Sequence, residues 1–249
     1  MPGDETSASH KRPRCLAIVP AFNERAAIAS VVADLRALPW VDVVVIDDGS
    51  GDGTAAEAVR AGARVITLPF NLGIGTAVQT GYLIAQDDNY DVAIQVDGDG
   101  QHPPSEIATL VDALLGSDAD LVIGSRFLEP GAFQSTRGRR LGIGVLAGLV
   151  SLATRSRLTD TTSGFRAAGP RAISLFAAAY PHDYPEVESV VVAHRAGLRV
   201  REIPIQMQAR LGGRSSITPI RSVYYMVKVS MAIGMVLLRR PARLPEAPR

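Results

Sequence analysis

The chain has 249 residues, of which 47% are hydrophobic and 20% are charged, so it can bury a substantial globular core. A formal net charge of +1 gives no electrostatic reason to expect a nucleic-acid partner. The single cysteine, Cys15, excludes a disulfide framework, and residues 1–14 lack the apolar run of a secretory signal, so we expect a cytoplasmic protein.

Short apolar, β-branched runs alternate with helical patterns through the first half of the chain. These patterns predict strands at 16–19, 43–46, 64–67, 92–96 and 121–123, and helices at 24–38, 53–61, 73–86 and 104–115. Nearly continuous apolar runs are typical of strands that are covered on both faces. The alternation therefore predicts an α/β fold with a doubly wound, mostly parallel sheet flanked by helices.

Beyond residue 126 the alternation gives way to loops between longer apolar segments. The pattern predicts loops at 129–140, 159–166 and 210–216, helices at 141–154 and 186–196, and a strand at 200–207. Between Arg221 and Arg239 the only charged residue is Lys228, but this run is short of the ~20 apolar residues that span a bilayer. We expect an apolar or amphipathic C-terminal helix that lies either in the core or on a membrane surface.

Polar clusters follow the first, second and fourth predicted strands, at 20–24, 47–50 and 97–101. Ligands of such sheets bind beyond the carboxyl ends of the strands, so these clusters are expected to converge. Asp97 and Asp99 flank Gly98, and two carboxylates directed at one spot suit Mg²⁺ or Mn²⁺ shared with substrate phosphates. Gln101 adds a neutral oxygen. In isolation such a triplet is more often a turn, but its place after a buried strand favours a metal site.

Asp48 follows the second strand, where a carboxylate can accept hydrogen bonds from a ribose or from a base. The alternative is that Asp47 or Ser50 caps the next helix, and both roles are compatible. A loop carboxylate contributes little to a core, so replacing Asp48 is expected to weaken ligand binding more than it alters the fold. Residues 71–77 open a helix whose N-terminal amides suit an anion.

With these motifs in order, the sequence resembles family-2 glycosyltransferases of GT-A fold, in particular the dolichol-phosphate mannose synthase and polyprenyl-phosphate glycosyltransferase branch. The resemblance runs from about Cys15 to Ser216. Its markers are PAFNE at 20–24, DDGS at 47–50, NLGIG at 71–75, DGDGQ at 97–101, GSR at 124–126, DTTSGFR at 160–166 and RLGGRSS at 210–216. It implies an inverting, metal-dependent transfer of a sugar from a UDP- or GDP-linked donor, with Mg²⁺ or Mn²⁺ as cofactor.

The resemblance also implies roles for individual residues. The nucleotide sugar would be bound by Pro20, Phe22, Glu24, Asp48, Gly75, Asp97, Gly98 and Ser216, and the metal by Asp97, Asp99 and Gln101. The catalytic residues would be Asp99, Glu188, Arg126 and Arg210, with the two arginines at the diphosphate and the acceptor phosphate. We expect residues 1–13 to be a disordered lead-in, 14–216 the GT-A domain, and 217–249 a C-terminal apolar helix with a basic tail.

Two classes of acceptor remain open at this point. A polyprenyl phosphate is already anionic and needs no general base, whereas a hydroxyl of a glycan or small molecule needs a carboxylate such as Glu186 or Glu188. Basic clusters flank both apolar helices, which favours peripheral association with the inner face of a membrane, alone, as a homo-oligomer or with an integral-membrane partner. The arginines of these clusters are Arg137, Arg139, Arg140, Arg239, Arg240 and Arg243.

Overall fold

A computed structural model of the protein describes residues 13–128, 137–154, 156–207 and 219–238, with side chains left undescribed at 137–143 and 219–227. The secondary-structure elements alternate along the chain as the sequence predicts. In order they are β1 (Cys15–Ala21), α1 (Ile28–Arg36), β2 (Val41–Asp47), α2 (Thr54–Arg60), β3 (Arg64–Thr67), α3 (Ile74–Asp87), β4 (Val92–Gln95), α4 (Pro104–Leu115), β5 (Leu121–Ser125), α5 (Arg137–Thr154), β6 (Arg166–Ala168), α6 (Pro170–Ala178), α7 (Pro185–Arg195), β7 (Val200–Pro204) and α8 (Pro219–Leu238).

The described strands form one seven-stranded sheet in the order β3-β2-β1-β4-β6-β5-β7. Strand β1 pairs in parallel with β2 and β4, β2 pairs in parallel with β3, and β5 pairs in parallel with β7. Strand β6 lies between β4 and β5 and runs antiparallel to both. The predicted doubly wound, mostly parallel sheet is therefore confirmed.

Each face of the sheet is covered by its own buried cluster. Ile18 of β1 belongs to a cluster with Tyr82 of α3 and Phe176 of α6, on one face. The next residue, Val19, belongs to the cluster on the other face, which includes Ile107 of α4. Because successive side chains of a strand point to opposite faces, burial on both faces requires the continuous apolar runs seen in the sequence.

The differences from the predicted elements are local, except for two omissions. Helix α1 begins at Ile28 rather than at residue 24, because a turn comes first in which the amide of Ala27 donates to the Glu24 carbonyl. The sequence pattern predicts neither β6 nor α6. Strand β6 has three residues and none is β-branched, so it carries no local strand signal. Helix α6 begins at Pro170, which suits a first helical turn and could have indicated it.

The C-terminal helix α8 packs against α5 and α7. Its inner face contributes Val229 and Ile233 to the core, whereas Met231, Met235 and Leu238 are exposed. One face of this helix therefore belongs to the core, and contact of the other face with a membrane stays a prediction. None of the helices in the described ranges is long and apolar enough to cross a membrane.

Candidate active site

The carboxyl ends of β1, β2 and β4 border one cleft of about 420 Å³. The three polar clusters predicted to converge do so there, joined by residues from the segment before β6 and from the first turn of α7. The cleft is lined by Pro20, Ala21, Phe22, Glu24, Asp48, Asn71, Gly73, Ile74, Ala77, Asp97, Gly98, Asp99, Thr162, Gly164 and Glu186.

At one end of the cleft, hydrogen bonds join the loop after β1 to the loop after β2. The Asn23 amide donates to Ser50 Oγ at 2.9 Å, and the Glu24 amide donates to Thr54 Oγ1 at 2.9 Å. Asn23 has a φ of 56°, which is uncommon for a residue other than glycine. Beside this junction Phe22 is 45% exposed, and an exposed aromatic ring can stack against a nucleobase.

Asp48 is buried at this end and already holds two backbone amides. Its Oδ1 accepts from the Leu72 amide at 2.7 Å, and its Oδ2 accepts from the Gly73 amide at 2.9 Å. The sequence predicted that the amides at the start of α3 would bind an anion, and one such anion is the carboxylate of Asp48 itself. Asp48 therefore ties the loop before α3 to the end of β2, which makes it more important for the fold than a loop carboxylate was expected to be.

We therefore expect Asp48→Ala to reduce both nucleotide binding and stability. Removing the carboxylate deletes two part-buried hydrogen bonds, and each such bond contributes about 0.5–1.5 kcal/mol. Asp48→Asn keeps one oxygen acceptor and should lose less stability. Thermal unfolding and calorimetric titration with UDP or GDP measure the two effects separately. An alanine variant with the stability and nucleotide affinity of the wild type would contradict this role.

The turn that carries Asp97 and Asp99 is fixed from within. Asp99 Oδ1 accepts from the Gln101 amide at 3.1 Å, and His102 Nδ1 accepts from the Asp97 amide at 3.4 Å. The His102 ring stacks on Phe165 with centroids 4.4 Å apart. Burial lowers the pKa of His102 to about 4, opposed by Asp99 and assisted by Arg126, so the imidazole is neutral and accepts a hydrogen bond at neutral pH. We interpret His102 as a support of the turn.

The donor atoms at this turn fit a divalent cation that shares its ligands with a substrate. Asp97 and Asp99 both line the cleft, whereas Gln101, the third predicted ligand, is not one of the lining residues. Within the described ranges no three Asp, Glu, His or Cys side chains are grouped to enclose a metal. Two carboxylates leave coordination positions for phosphate oxygens and water, which is the usual arrangement for Mg²⁺ at a phosphate.

Arg126, at the end of β5, is held by a buried ion pair. Its Nε and Nη2 donate to the two carboxylate oxygens of Asp160 at 2.6 and 2.8 Å, and Nη2 also donates to Thr162 Oγ1 at 2.8 Å. Burial alone would lower the pKa of Arg126, but Asp160 raises it above its ordinary value, with smaller contributions from Asp97 and Glu186. Arg126 is thus a fixed positive charge that acts on the carboxylates of the cleft.

Glu202 of β7 anchors the turn that contains Asp160. The Glu202 carboxylate accepts from the Thr159 amide at 2.7 Å and from the Asp160 amide at 2.8 Å. Burial raises the pKa of Glu202, and the hydrogen bonds from Asp160 and Thr159 oppose this shift. A chain of contacts thus runs from β7 through this turn to Arg126.

The two glutamates at the start of α7 have different environments. Glu188 Oε1 accepts from the Tyr184 amide at 3.1 Å, so this side chain caps the helix, and it is not one of the residues lining the cleft. Glu186 lines the cleft instead. Its pKa is raised mainly by burial and further by the charge of Asp97, whereas its own backbone amide, Arg166 and Arg126 oppose the shift.

The predicted site residues therefore fall into three groups. Pro20, Phe22, Glu24, Asp48, Asp97, Gly98 and Asp99 line the cleft, and Gly75, Gln101, Arg126 and Glu188 lie outside its lining. At Gly75 an added Cβ would stand 2.5 Å from the Pro181 carbonyl oxygen, so this glycine allows α3 to pack closely. Arg210 and Ser216 lie outside the described residues, and their roles stay predictions.

Residue-level prediction missed the segment 160–166 as a source of site residues. Asp160, Thr162 and Gly164 all belong to the DTTSGFR marker, yet none was assigned a role. The available signal was the run of polar and small residues at 159–164. Its position in the cleft depends on the antiparallel entry of β6, which the pattern did not predict.

Comparisons with known proteins agree with this geometry. Residues 16–177 match the family described as Glycosyl transferase family 2. Undecaprenyl-phosphate mannosyltransferase from Micrococcus luteus is 33% identical over 215 residues, which cover 82% of this chain and 88% of that protein. Polyprenol monophosphomannose synthase from Mycolicibacterium smegmatis is 32% identical over 173 residues, which cover 66% of this chain and 65% of that protein.

A solved structure has the same fold. It is glucosyl-3-phosphoglycerate synthase from Mycobacterium tuberculosis in complex with Mn²⁺, uridine diphosphate and glucosyl-3-phosphoglycerate, with a TM-score of 0.68 and 22% identity, covering 94% of this chain and 82% of that one. The fold and the family match define a glycosyltransferase of GT-A type. The chain belongs to glycosyl transferase family 2, and the resemblance predicted from its motifs is confirmed.

Proposed function

We propose that this glycosyltransferase moves a sugar from a nucleotide-diphosphate sugar to a polyprenyl phosphate, with Mg²⁺ or Mn²⁺ on Asp97 and Asp99. The observation that carries the proposal is the carboxylate pair within a cleft that also contains Phe22 and Asp48. A divalent cation bound there would neutralise charge on the leaving nucleotide diphosphate. The neighbour bound to Mn²⁺ and uridine diphosphate supports this choice of cofactor and donor class.

The residues of the chain divide the work along the cleft. Phe22 and Asp48 would hold the nucleoside at one end, and Asp97 and Asp99 would set the position of the diphosphate. The other wall, formed by Thr162 and Glu186, is then left for the acceptor. Arg126 adds a fixed positive charge near the diphosphate. Inversion of the anomeric centre by direct displacement follows from the family resemblance.

The names of the two relatives support a lipid phosphate as acceptor, and so does one surface of the protein. Helices α5 and α8 pack together, and each exposes apolar residues at helical spacing, including Leu152, which is 79% exposed, and Leu238, which is 90% exposed. Arginines of the sequence occur in the first turn of α5 and directly after α8. A surface with these components suits peripheral binding to an anionic bilayer, in our proposal the inner face of the cell membrane.

In this proposal, residues 14–216 form the catalytic domain and α8 with the following basic tail forms a docking element. The other exposed apolar residues of the surface are Val145, Leu149, Met231, Met235 and Leu237. Met231 and Met235 are exposed and lie outside the cleft. Replacing both with Gln should reduce sedimentation with anionic liposomes while leaving nucleotide binding unchanged.

A hydroxyl acceptor is the second candidate, and the observation that favours it is the position of Glu186 in the cleft. A hydroxyl nucleophile must lose a proton, and a carboxylate with a raised pKa is a suitable general base. A phosphate acceptor is anionic at neutral pH and has no such requirement. Of the two glutamates considered for this role, Glu186 lines the cleft whereas Glu188 caps α7, which supports Glu186 as the base in this second proposal.

Glu186→Gln separates the two acceptors. If the acceptor is a hydroxyl, turnover should fall by about 10²–10⁴-fold, the usual contribution of a general base. If the acceptor is a lipid phosphate, the loss should be much smaller. Glu188→Gln is the matched control and should affect the stability of α7 more than turnover. Initial rates of both variants, with polyprenyl phosphate and with a soluble sugar alcohol, provide the comparison.

The function itself is tested by assaying purified protein with a panel of UDP- and GDP-linked sugars. Each donor is offered with polyprenyl phosphate in detergent, with a soluble sugar alcohol, and with each acceptor in excess chelator. Transfer to polyprenyl phosphate that stops in chelator is the expected result. Transfer confined to the soluble acceptor would overturn the lipid-phosphate proposal, and full turnover in chelator would overturn the metal site.

A further inference from the structure

Arg166 is the largest side chain that is fully buried in the described part of the chain. It opens β6, where it pairs with Gln95 of β4 and Ile123 of β5, in the middle of the sheet. Among the described residues no carboxylate forms an ion pair with it. A buried guanidinium is costly unless its donors are satisfied, and an apolar side chain would fill the same space at lower cost.

The guanidinium is satisfied by neutral groups from two separate segments. Nε donates to the Ser163 carbonyl at 2.8 Å, and Nη2 donates to the Thr161 carbonyl at 3.3 Å. Nη2 also donates to the Glu186 carbonyl at 2.5 Å, and Nη1 donates to Ser189 Oγ at 2.6 Å. One side chain therefore joins the segment before β6 to the first turn of α7.

Each of these segments contributes one residue to the wall of the cleft that the proposed function leaves for the acceptor. Thr162, which lies between the two carbonyls bound on the first segment, lines the cleft, and so does Glu186 on the second. Thr162 Oγ1 is also an acceptor for Arg126. The same guanidinium therefore links the backbone on either side of Thr162, whose side chain supports Arg126, to the backbone of Glu186.

We propose that Arg166 is a positioning residue that fixes Thr162 and Glu186 relative to each other and so shapes the acceptor side of the cleft. The assignment of that side to the acceptor rests on the proposed function. Arginine suits the task because its planar fork presents donors in several directions at once. Lysine keeps the charge but has one nitrogen, which cannot reach both segments in the same geometry.

The test is Arg166→Lys, compared with wild type for kcat, for the KM of donor and acceptor, and for the affinity of the nucleoside diphosphate by calorimetry. We expect kcat to fall by about tenfold or more, since misplacement of about 1 Å near a reacting centre costs up to about 100-fold. Donor KM and nucleotide affinity should stay within about twofold of wild type, because Phe22 and Asp48 have no contact with Arg166. Loosening of the whole sheet would instead weaken both ends of the cleft together.

Arg171→Lys is the matched control, because Arg171 is half-exposed on α6 and pairs with Asp120 away from the cleft. It should have the kcat of wild type. Ser189→Ala removes one acceptor of the Arg166 side chain with little change in volume, and it decides the matter if Arg166→Lys does not fold. We expect Ser189→Ala to lower kcat several-fold in the wild type and to have little further effect in the Arg166→Lys background.

Unchanged kcat in Arg166→Lys, or in Ser189→Ala where the lysine variant does not fold, would overturn the proposal. So would a loss of nucleotide affinity as large as the loss of kcat. The rates are measured with whichever acceptor the wild type uses, or as donor hydrolysis if it uses neither. A failure of the lipid-phosphate proposal is therefore visible in the wild type, whereas a failure of this proposal is visible only in the variants.

Discussion

Asp99→Asn is expected to reduce turnover by about 10³-fold while the protein stays folded. The substitution removes one of two negative ligands for the proposed cation, and loss of a single charge-stabilising group at a reacting centre costs about 10²–10³-fold. Asparagine retains an oxygen that can accept the hydrogen bond from the Gln101 amide, so the turn should keep its shape. Asp99 is only 5% exposed, so the loss of this hydrogen bond would disturb the turn. For that reason Asn, which can keep the bond, is preferred to Ala.

The measurement is turnover as a function of Mn²⁺ or Mg²⁺ concentration, with circular dichroism as a check on folding. Asp34→Asn, at an exposed position of α1, is the control for the loss of one negative charge and should resemble wild type. The metal-site proposal would be wrong if Asp99→Asn had the wild-type rate and the wild-type metal dependence.

Gly164→Ala is the second substitution expected to have a large effect, because it adds one methyl group directly against Asp97, in the turn after β4. The new Cβ would stand 2.7 Å from Asp97 Oδ1 and 3.2 Å from Gln95 Nε2. Carbon and oxygen do not approach so closely, so either the Asp97 carboxylate or the segment before β6 must move. We expect turnover to fall by about 100-fold, the loss that a displacement of about 1 Å produces.

Gly148→Ala provides the matched control. Gly148 lies in α5, and no described atom stands within 4 Å of the Cβ that the substitution would add. Alanine is favoured over glycine inside a helix by about 0.5–1 kcal/mol, so this variant should be at least as stable as wild type and equally active. A Gly164→Ala variant with a wild-type rate would mean that the position of the Asp97 carboxylate is not critical.

The sequence was sufficient to predict the part of the cleft formed after β1, β2 and β4, because that part depends on local patterns. Buried parallel strands are recognised in a sequence as apolar runs, and the residues after each run must lie at one edge of the sheet. Phe22, Asp48 and Asp97 could be placed together on that argument alone. What the argument could not supply was the state of each side chain, such as the two amides bound by Asp48.

The part of the cleft formed by the segment before β6 and by α7 depends on contacts that no local pattern encodes. Strand β6 is defined by its partners β4 and β5 rather than by its own three residues, so the position of Thr162 and Gly164 in the cleft was not predicted. The choice between Glu186 and Glu188 is a matter of helix rotation, since two residues are about 200° apart around the axis. The packing of α7 sets this rotation, so the sequence could not predict that Glu186 rather than Glu188 lines the cleft.

The place of β6 in the sheet also constrains the order in which the molecule can assemble. Strand β4 can pair with β1 as soon as the first half of the chain has been synthesised. Its other neighbour, β6, ends at Ala168 and is synthesised only after β5 and α5. Until that neighbour arrives, one edge of β4 has open backbone groups, and pairing between such distant segments is slow. Asp97 and Asp99 are thus synthesised early and enclosed late, so a chain truncated before β6 would leave an unpaired strand edge, prone to aggregation, at the centre of the sheet.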